Sequence, residues 1–288
     1  IARALVEAGN EVITLTRRVD HGDPLAVDIK AVALDFGRPA ELAEALQGVD
    51  TLFNTYWIRF PRGTASFERA IAETNVLLAA ARQAGVRRIV HVSVVGADQD
   101  GPTPYVRAKG VVEYAVKTSG LEWSIVRPTL TYGPDDILVN NMAWALRRLP
   151  VYGMPGDGHY PIQPVHVDDV ARICIELANG EPGQIVDAAG PDQLPFRQMV
   201  EIVRSAVGSR SLVVPMPTWA VLGAARLLGL LVRDVVLTRH EVFELSTGFL
   251  TSIQPPRGEV RFEGWVREHA DGLGRRWSSE LARNYPVA

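Results

Sequence analysis

The segment HVSVVGADQDGPTPYVRAKG holds the strongest chemical signal in the chain. Ser93 ends a run that reads as a buried strand, and Tyr105 stands four positions before Lys109 at the start of a helix-like stretch. Residues four apart on a helix share a face, so a phenol and an amine would lie together. A tyrosine hydroxyl can give or take a proton in a reaction when its pKa is lowered. A neighbouring ammonium lowers it by favouring the phenolate, and the positive end of the helix dipole adds to that field. Ser93 could hydrogen-bond a reacting carbonyl or alcohol. The candidate catalytic set is therefore Ser93, Tyr105 and Lys109. Lysine is scarce, with Lys30, Lys109 and Lys117 the full complement, so the spacing is not a by-product of a lysine-rich surface. An exposed helix lysine beside a half-buried tyrosine is the competing structural reading.

These residues need a scaffold, and the chain supplies an alternation of strand and helix signals. Residues 1–8 read as the back half of a helix stopped by Gly9, and 11–16 as a strand. Strands follow at 31–36, 50–57, 88–95 and from 123; helices at 39–47, 67–84 and 105–119. This rhythm predicts a Rossmann-like, doubly wound parallel sheet, an α/β fold. After Pro128 it loosens: a helix at 137–149, an irregular GMPGDGHYP loop, a short strand and a helix with Asp168 as N-cap, and a strand at 184–188. The expected division is a nucleotide-binding domain over 1–190 and a small, mostly helical lobe over 191–288. A helix feeding a buried strand implies a strand before it. No glycine-rich turn occurs near the start, so the first strand and glycine loop are expected to lie ahead of Ile1, and the chain as given is expected to hold a dinucleotide weakly.

Composition narrows the class. Apolar residues make up 47% and charged residues 22% of 288 positions, ordinary for a globular protein large enough to bury a full core. A net charge of -3 gives no reason to expect nucleic acid as a partner. The single cysteine, Cys174, excludes an intrachain disulfide and fits a reducing, cytoplasmic setting. No Cys/His spacing suggests a metal site. The stretch WAVLGAARLLGLLV is too short for an integral membrane segment and contains Arg226. It reads as a buried or interface helix, with membrane-surface contact as the alternative.

With those residues in view, the chain resembles the short-chain dehydrogenase/reductase superfamily, whose Ser…Tyr-x-x-x-Lys constellation Ser93, Tyr105 and Lys109 match. IVRPTLTYGPDD and PVHVDDVA resemble later family segments. The combination is similar to the extended and atypical branches: NAD-dependent epimerase/dehydratase-like, NmrA-like, and the nucleotide-binding accessory subunit of respiratory complex I. The resemblance covers most of residues 1–190. The glycine motif is absent, and the interval from Ser93 to Tyr105 is shorter than in sugar-nucleotide epimerases, which argues against a nucleotide-sugar substrate.

The resemblance implies a cofactor map. The second family strand ends beside the adenosine ribose, where arginine would meet a 2′-phosphate and an acid a 2′-hydroxyl. Thr16 is followed by Arg17 and Arg18, so NADP(H) is expected over NAD(H). Asp35 resembles the adenine-edge residue; an aspartate that opens a loop is the competing reading. Asn54 and Thr55 would line the same crevice, and Pro128 and Thr129 match the nicotinamide-side wall. Weaker substrate candidates are Tyr56, Trp57, Asn140, Asn141, His159 and Tyr160. His91 and His166 are expected to be structural. Two functions follow: an oxidoreductase or epimerase-like enzyme acting on a small organic substrate, or a non-catalytic NAD(P)-binding redox sensor or assembly scaffold. Residues 67–84 and 105–119 are apolar enough to allow a homodimer.

Overall fold

The computed structural model describes residues 1–16 and 29–285. Its first part runs α1 (Ala2–Glu7), β1 (Val12–Thr16), β2 (Ile29–Ala33), α2 (Pro39–Ala45), β3 (Thr51–Asn54), α3 (Phe67–Gln83), β4 (Arg88–Val92), α4 (Pro104–Lys117) and β5 (Glu122–Pro128). The chain continues with β6 (Leu130–Tyr132), α5 (Leu138–Arg148), β7 (Val151–Pro155), β8 (Pro161–Ile162), β9 (Pro164–His166), α6 (Val167–Asn179) and β10 (Gln184–Ala188). It ends with β11 (Leu194–Pro195), α7 (Phe196–Ala206), β12 (Leu212–Met216), α8 (Thr218–Val232), α9 (Arg239–Ser246), α10 (Phe262–Glu268) and α11 (Glu280–Asn284). The expected α/β alternation is present, and the strands that carry the candidate site are parallel.

Two parallel ladders frame the amino-terminal part. β1 pairs with β2, matching Val12 to Ile29, and a second sheet has the order β10-β5-β4-β3. Within it β3 and β4 run in register from Thr51–Arg88 to Asn54–His91. Among the described residues no ladder joins β1 to β3. Local chemistry sets the helices on this sheet. The Ser66 hydroxyl accepts from Arg69 N at 3.1 Å to cap α3, and Thr103 accepts from Val106 N at 3.3 Å to cap α4. Pro104 then occupies the first turn of α4, where a missing N–H costs nothing. Gly85 and Gly120, at φ of +79° and +83°, end the two helices in the left-handed conformation. The apolar faces of α2, α3 and α4 bury Leu42, Leu77, Ala81, Val112 and Val116 against Ile89 and Ile125 of the sheet.

The chain divides into two compact units, Ile1–Arg127 with Val170–Val186, and Pro128–Asp169 with Asp187–Ala288. This partition differs from the boundary expected near residue 190. Residues 128–169 share a core with the later chain: Tyr132, Val139, Met142 and Leu146 pack with Phe196, Met199, Phe262 and Trp265. Other differences are local. The beginning of the supposed irregular loop is strand, because Val151–Pro155 pairs in parallel with β12. Asp168 lies in the first turn of α6 rather than capping it. The described residues include no helix long and apolar enough to cross a membrane.

Candidate functional site

The carboxyl ends of β3 and β4 place their side chains next to each other. Asn54 is buried, its Oδ1 accepts from Tyr56 N at 3.1 Å, and its Nδ2 lies 3.1 Å from His91 Nδ1. With Oδ1 already accepting, Nδ2 is the donor, so His91 Nδ1 accepts and its proton resides on Nε2. That Nε2 is buried and finds no hydrogen-bond partner among the described residues. His91 is fully buried, and burial with the nearby Lys109 charge pushes its pKa down to about 3. Two further buried polar atoms here find no partner among the described residues: Trp57 Nε1 and Ser93 Oγ. Ser93 N is held by the Val126 carbonyl at 2.7 Å. Three orphaned polar atoms at the ends of adjacent strands are uncommon in a folded core.

Helix α4 brings the other two candidates to the same place. Lys109 is buried, donates to the Val92 carbonyl at 3.2 Å and stands 4.5 Å from the centroid of the Trp57 ring. Burial lowers its pKa to about 7, against the smaller opposing attraction of Glu113. Tyr105, half-buried, meets the same indole edge-on at 6.1 Å and the Phe67 ring at 6.0 Å. Tyr105 and Lys109 therefore share Trp57 as a common wall. α4 approaches its preceding loop so closely that a Cβ on Gly110 would lie 2.3 Å from Asp98 C and 2.4 Å from Gln99 N. One turn on, Glu113 is buried and takes a two-point hydrogen bond from Arg127, at 2.8 and 2.6 Å.

A cavity of about 200 Å³ opens where β2 and β3 end and α3 begins. Asp35, Phe36, Tyr56, Arg69 and Glu73 are among its walls. Asp35 is exposed, accepts from Gly37 N at 2.8 Å and lies 3.5 Å from Arg38 Nε. It thus opens a loop and lines the cavity at once. Phe36 and Tyr56 lean together at 4.9 Å, and the Tyr56 hydroxyl is bonded to Glu73, which also takes Arg69 Nε at 2.8 Å. Thr55 is exposed. Arg17 and Arg18 lie outside the described residues. Pro128 and Thr129 belong to the second unit, where Thr129 N bonds the Ala188 carbonyl at 3.1 Å and its hydroxyl donates to the Gln163 carbonyl.

Several weaker candidates turn out to be structural. Asn140 and Asn141 tie α5 to the 274–278 segment through Gly274 N, Arg276 O, Ser278 N and Ser278 O. Tyr160 donates to the Pro155 carbonyl at 3.0 Å and stacks on Phe196. His166 Nδ1 accepts from Asp168 N in the second unit, while its buried Nε2 finds no partner among the described residues. Trp57, Gly110 and His91 are the residues whose roles the sequence under-read. For His91 a signal existed: in a parallel pair, the ends of two strands lie side by side, which makes Asn54 and His91 neighbours.

The arrangement suits a dinucleotide and a reacting oxygen. Lys109 uses one of its three N–H donors on Val92 and keeps two. Ser93 offers a buried hydroxyl, and the cavity presents an aromatic face beside acidic and basic groups. A family model described as NAD(P)H-binding matches residues 1–180. NADH dehydrogenase (ubiquinone) 1 alpha subcomplex subunit 9 of Arabidopsis thaliana is 29% identical over 169 residues, 56% of this chain and 42% of that protein. The chain thus spans less than half the length of this relative. The (4-alkanoyl-5-oxo-2,5-dihydrofuran-3-yl)methyl phosphate reductase of Streptomyces griseus is 26% identical over 214 residues, 72% of this chain and 69% of that protein. The solved triphenylmethane reductase of Citrobacter sp., complexed with NADP(H), matches with a TM-score of 0.75 at 17% identity, over 93% of this chain and 94% of that one. That likeness shows a shared Rossmann-like fold.

Proposed function

This chain belongs to the NAD(P)H-binding family, and from that premise we infer that it is an NADP(H)-dependent oxidoreductase or epimerase-like enzyme acting on a small organic substrate. The observation that carries this reading is the grouping of Tyr105 and Lys109 against Trp57, with Lys109 bonded to the carbonyl of Val92, the residue before Ser93. In the proposed mechanism the Ser93 hydroxyl holds the reacting oxygen, which supplies the partner its buried Oγ lacks. The Tyr105 hydroxyl passes a proton to or from that oxygen. Lys109, when protonated, stabilises the phenolate and turns its spare N–H donors toward a ribose. The nicotinamide, when bound, supplies or accepts the hydride.

Asp35, Asn54 and Thr55 would hold the adenosine side, together with the cavity formed by Phe36, Tyr56 and Arg69. Preference for NADP(H) rests on Arg17 and Arg18, whose guanidiniums suit a 2′-phosphate. The NADP(H) bound by the Citrobacter reductase is consistent with that choice.

Calorimetry with NADPH and NADH, followed by NADPH oxidation assays against quinones and carbonyl compounds, tests the reading. NADPH-dependent turnover that collapses in Tyr105→Phe supports it. Tight NADPH binding with no turnover, unchanged in Tyr105→Phe and Lys109→Met, would sink it in favour of a non-catalytic nucleotide sensor.

A further inference from the structure

Helix α8 in the second unit is apolar on both sides. Its inner face, Val221, Ala225 and Gly229, repeats every four residues and is buried. Gly229 fits so tightly that a Cβ would lie 2.6 Å from the Asp234 carbonyl oxygen. The outer face should then be polar. Instead Trp219, Leu227, Leu230 and Leu231 are 77%, 71%, 73% and 75% exposed. At 100° per residue these four fall within one arc of about 120°. The helix was expected to be buried or to form an interface; the outer half of it is not buried.

Between positions 205 and 240, the segment that carries this face, the exposed charges have one sign. Arg210, Arg226, Arg233 and Arg239 are exposed, and none has an ion-pair partner among the described residues. The only acid between positions 205 and 240 is Asp234. It is buried and occupied by Trp277 Nε1 at 2.9 Å, Glu280 N at 2.9 Å and Leu281 N at 3.0 Å. In a chain with a net charge of -3, α8 thus lies in a cationic segment and carries Arg226 beside its exposed apolar arc.

We propose that the outer face of α8 docks on an anionic lipid bilayer, with Trp219, Leu227, Leu230 and Leu231 in the headgroup boundary and the arginines on lipid phosphates. Fifteen helical residues span about 22 Å, too short to cross a hydrocarbon core of about 30 Å. A helix of this kind lies in the interface plane. A second copy is the less favoured occupant. Two-fold pairing of this face would bring the Arg226 side chains of both copies to one seam, with no acid on α8 to offset them. The inference is independent of the proposed enzyme activity.

Co-sedimentation with vesicles tests it, using phosphatidylcholine alone and phosphatidylcholine with about 30% phosphatidylglycerol. Each arginine near an anionic surface is worth roughly fivefold in binding. We expect about tenfold or greater preference for the anionic vesicles, weakened by salt. The double variant Leu227→Glu/Leu230→Glu should lose the binding while keeping NADPH binding and its far-ultraviolet circular dichroism. Should that variant misfold, Arg226→Glu/Arg239→Glu, at exposed positions, should still lose the anionic preference. Equal pelleting with both vesicles, or none with either, overturns the proposal. So does a dimer in light scattering that Leu227→Glu/Leu230→Glu splits into monomers, because a second copy would then cover the face.

Discussion

Lys109 Nζ stands 4.5 Å from the centroid of the Trp57 indole while donating to the Val92 carbonyl at 3.2 Å. The amine is thus fixed between an aromatic face and a backbone acceptor, with no carboxylate bonded to it among the described residues. Burial outweighs the opposing attraction of Glu113 and brings its pKa down to about 7.

That relationship can be read directly, because the sequence has three lysines. Protein labelled with ¹³C and ¹⁵N at lysine should give three side-chain signals, one with a titration midpoint near 7. Replacing the indole removes a contact that favours the ammonium. Trp57→Leu should therefore move the midpoint lower, by roughly one pH unit. A Lys109 midpoint near 10 in the wild-type protein would contradict the burial described here.

Tyr105 should separate binding from chemistry. Tyr105→Phe leaves the ring against Trp57 and Phe67 and removes only the hydroxyl. NADPH oxidation should fall by about a hundredfold or more, with NADPH affinity in calorimetry changed by less than about threefold. Lys109→Met should reduce both turnover and affinity.

His91 makes stability depend on acid. Its folded-state pKa of about 3 lies below the ordinary imidazole value of 6.5, so between those values the unfolded chain binds the extra proton. Stability then rises with pH from about 3 to 6.5 and is lost as pH falls through that window. Melts of wild type and His91→Asn at pH 4 to 6 should differ in slope by up to one proton, about 1.4 kcal/mol per pH unit. Parallel pH dependences would argue that His91 is charged or exposed.

Gly110 should not tolerate a methyl group. A Cβ 2.3 Å from Asp98 C forces the loop away from α4, and backbone cannot rotate aside as a side chain can. Gly110→Ala should destabilise by about 1–3 kcal/mol, lowering Tm by several degrees. Gly264→Ala, with nothing within 4 Å of its Cβ, is the control and should be close to neutral.

Much of this was legible because periodicity and helix-stop residues act locally. Strand–helix alternation gave the α/β class, and the single interval from Tyr105 to Lys109 gave one shared helix face. The role of Trp57 was not legible, since nothing within the NTYWIRF stretch says that its ring will lie under an amine some fifty residues away. Asn140 and Asn141 misled for a related reason: polar residues on an apolar helix suggest a ligand, but here they bind backbone from 274–278.

By itself, then, the sequence determined the parallel α/β framework, the absence of an intrachain disulfide and the pairing of a phenol with an amine one turn apart. Those follow from residue type and short-range spacing. The tertiary structure alone decided that Lys109 is buried near neutrality, that His91 is held neutral by burial and the nearby Lys109 charge, that residues 128–169 share a core with the later chain, and that one face of α8 is left bare. Each of these depends on which distant segments exclude water from a group, and desolvation is a property of the packed chain rather than of its order.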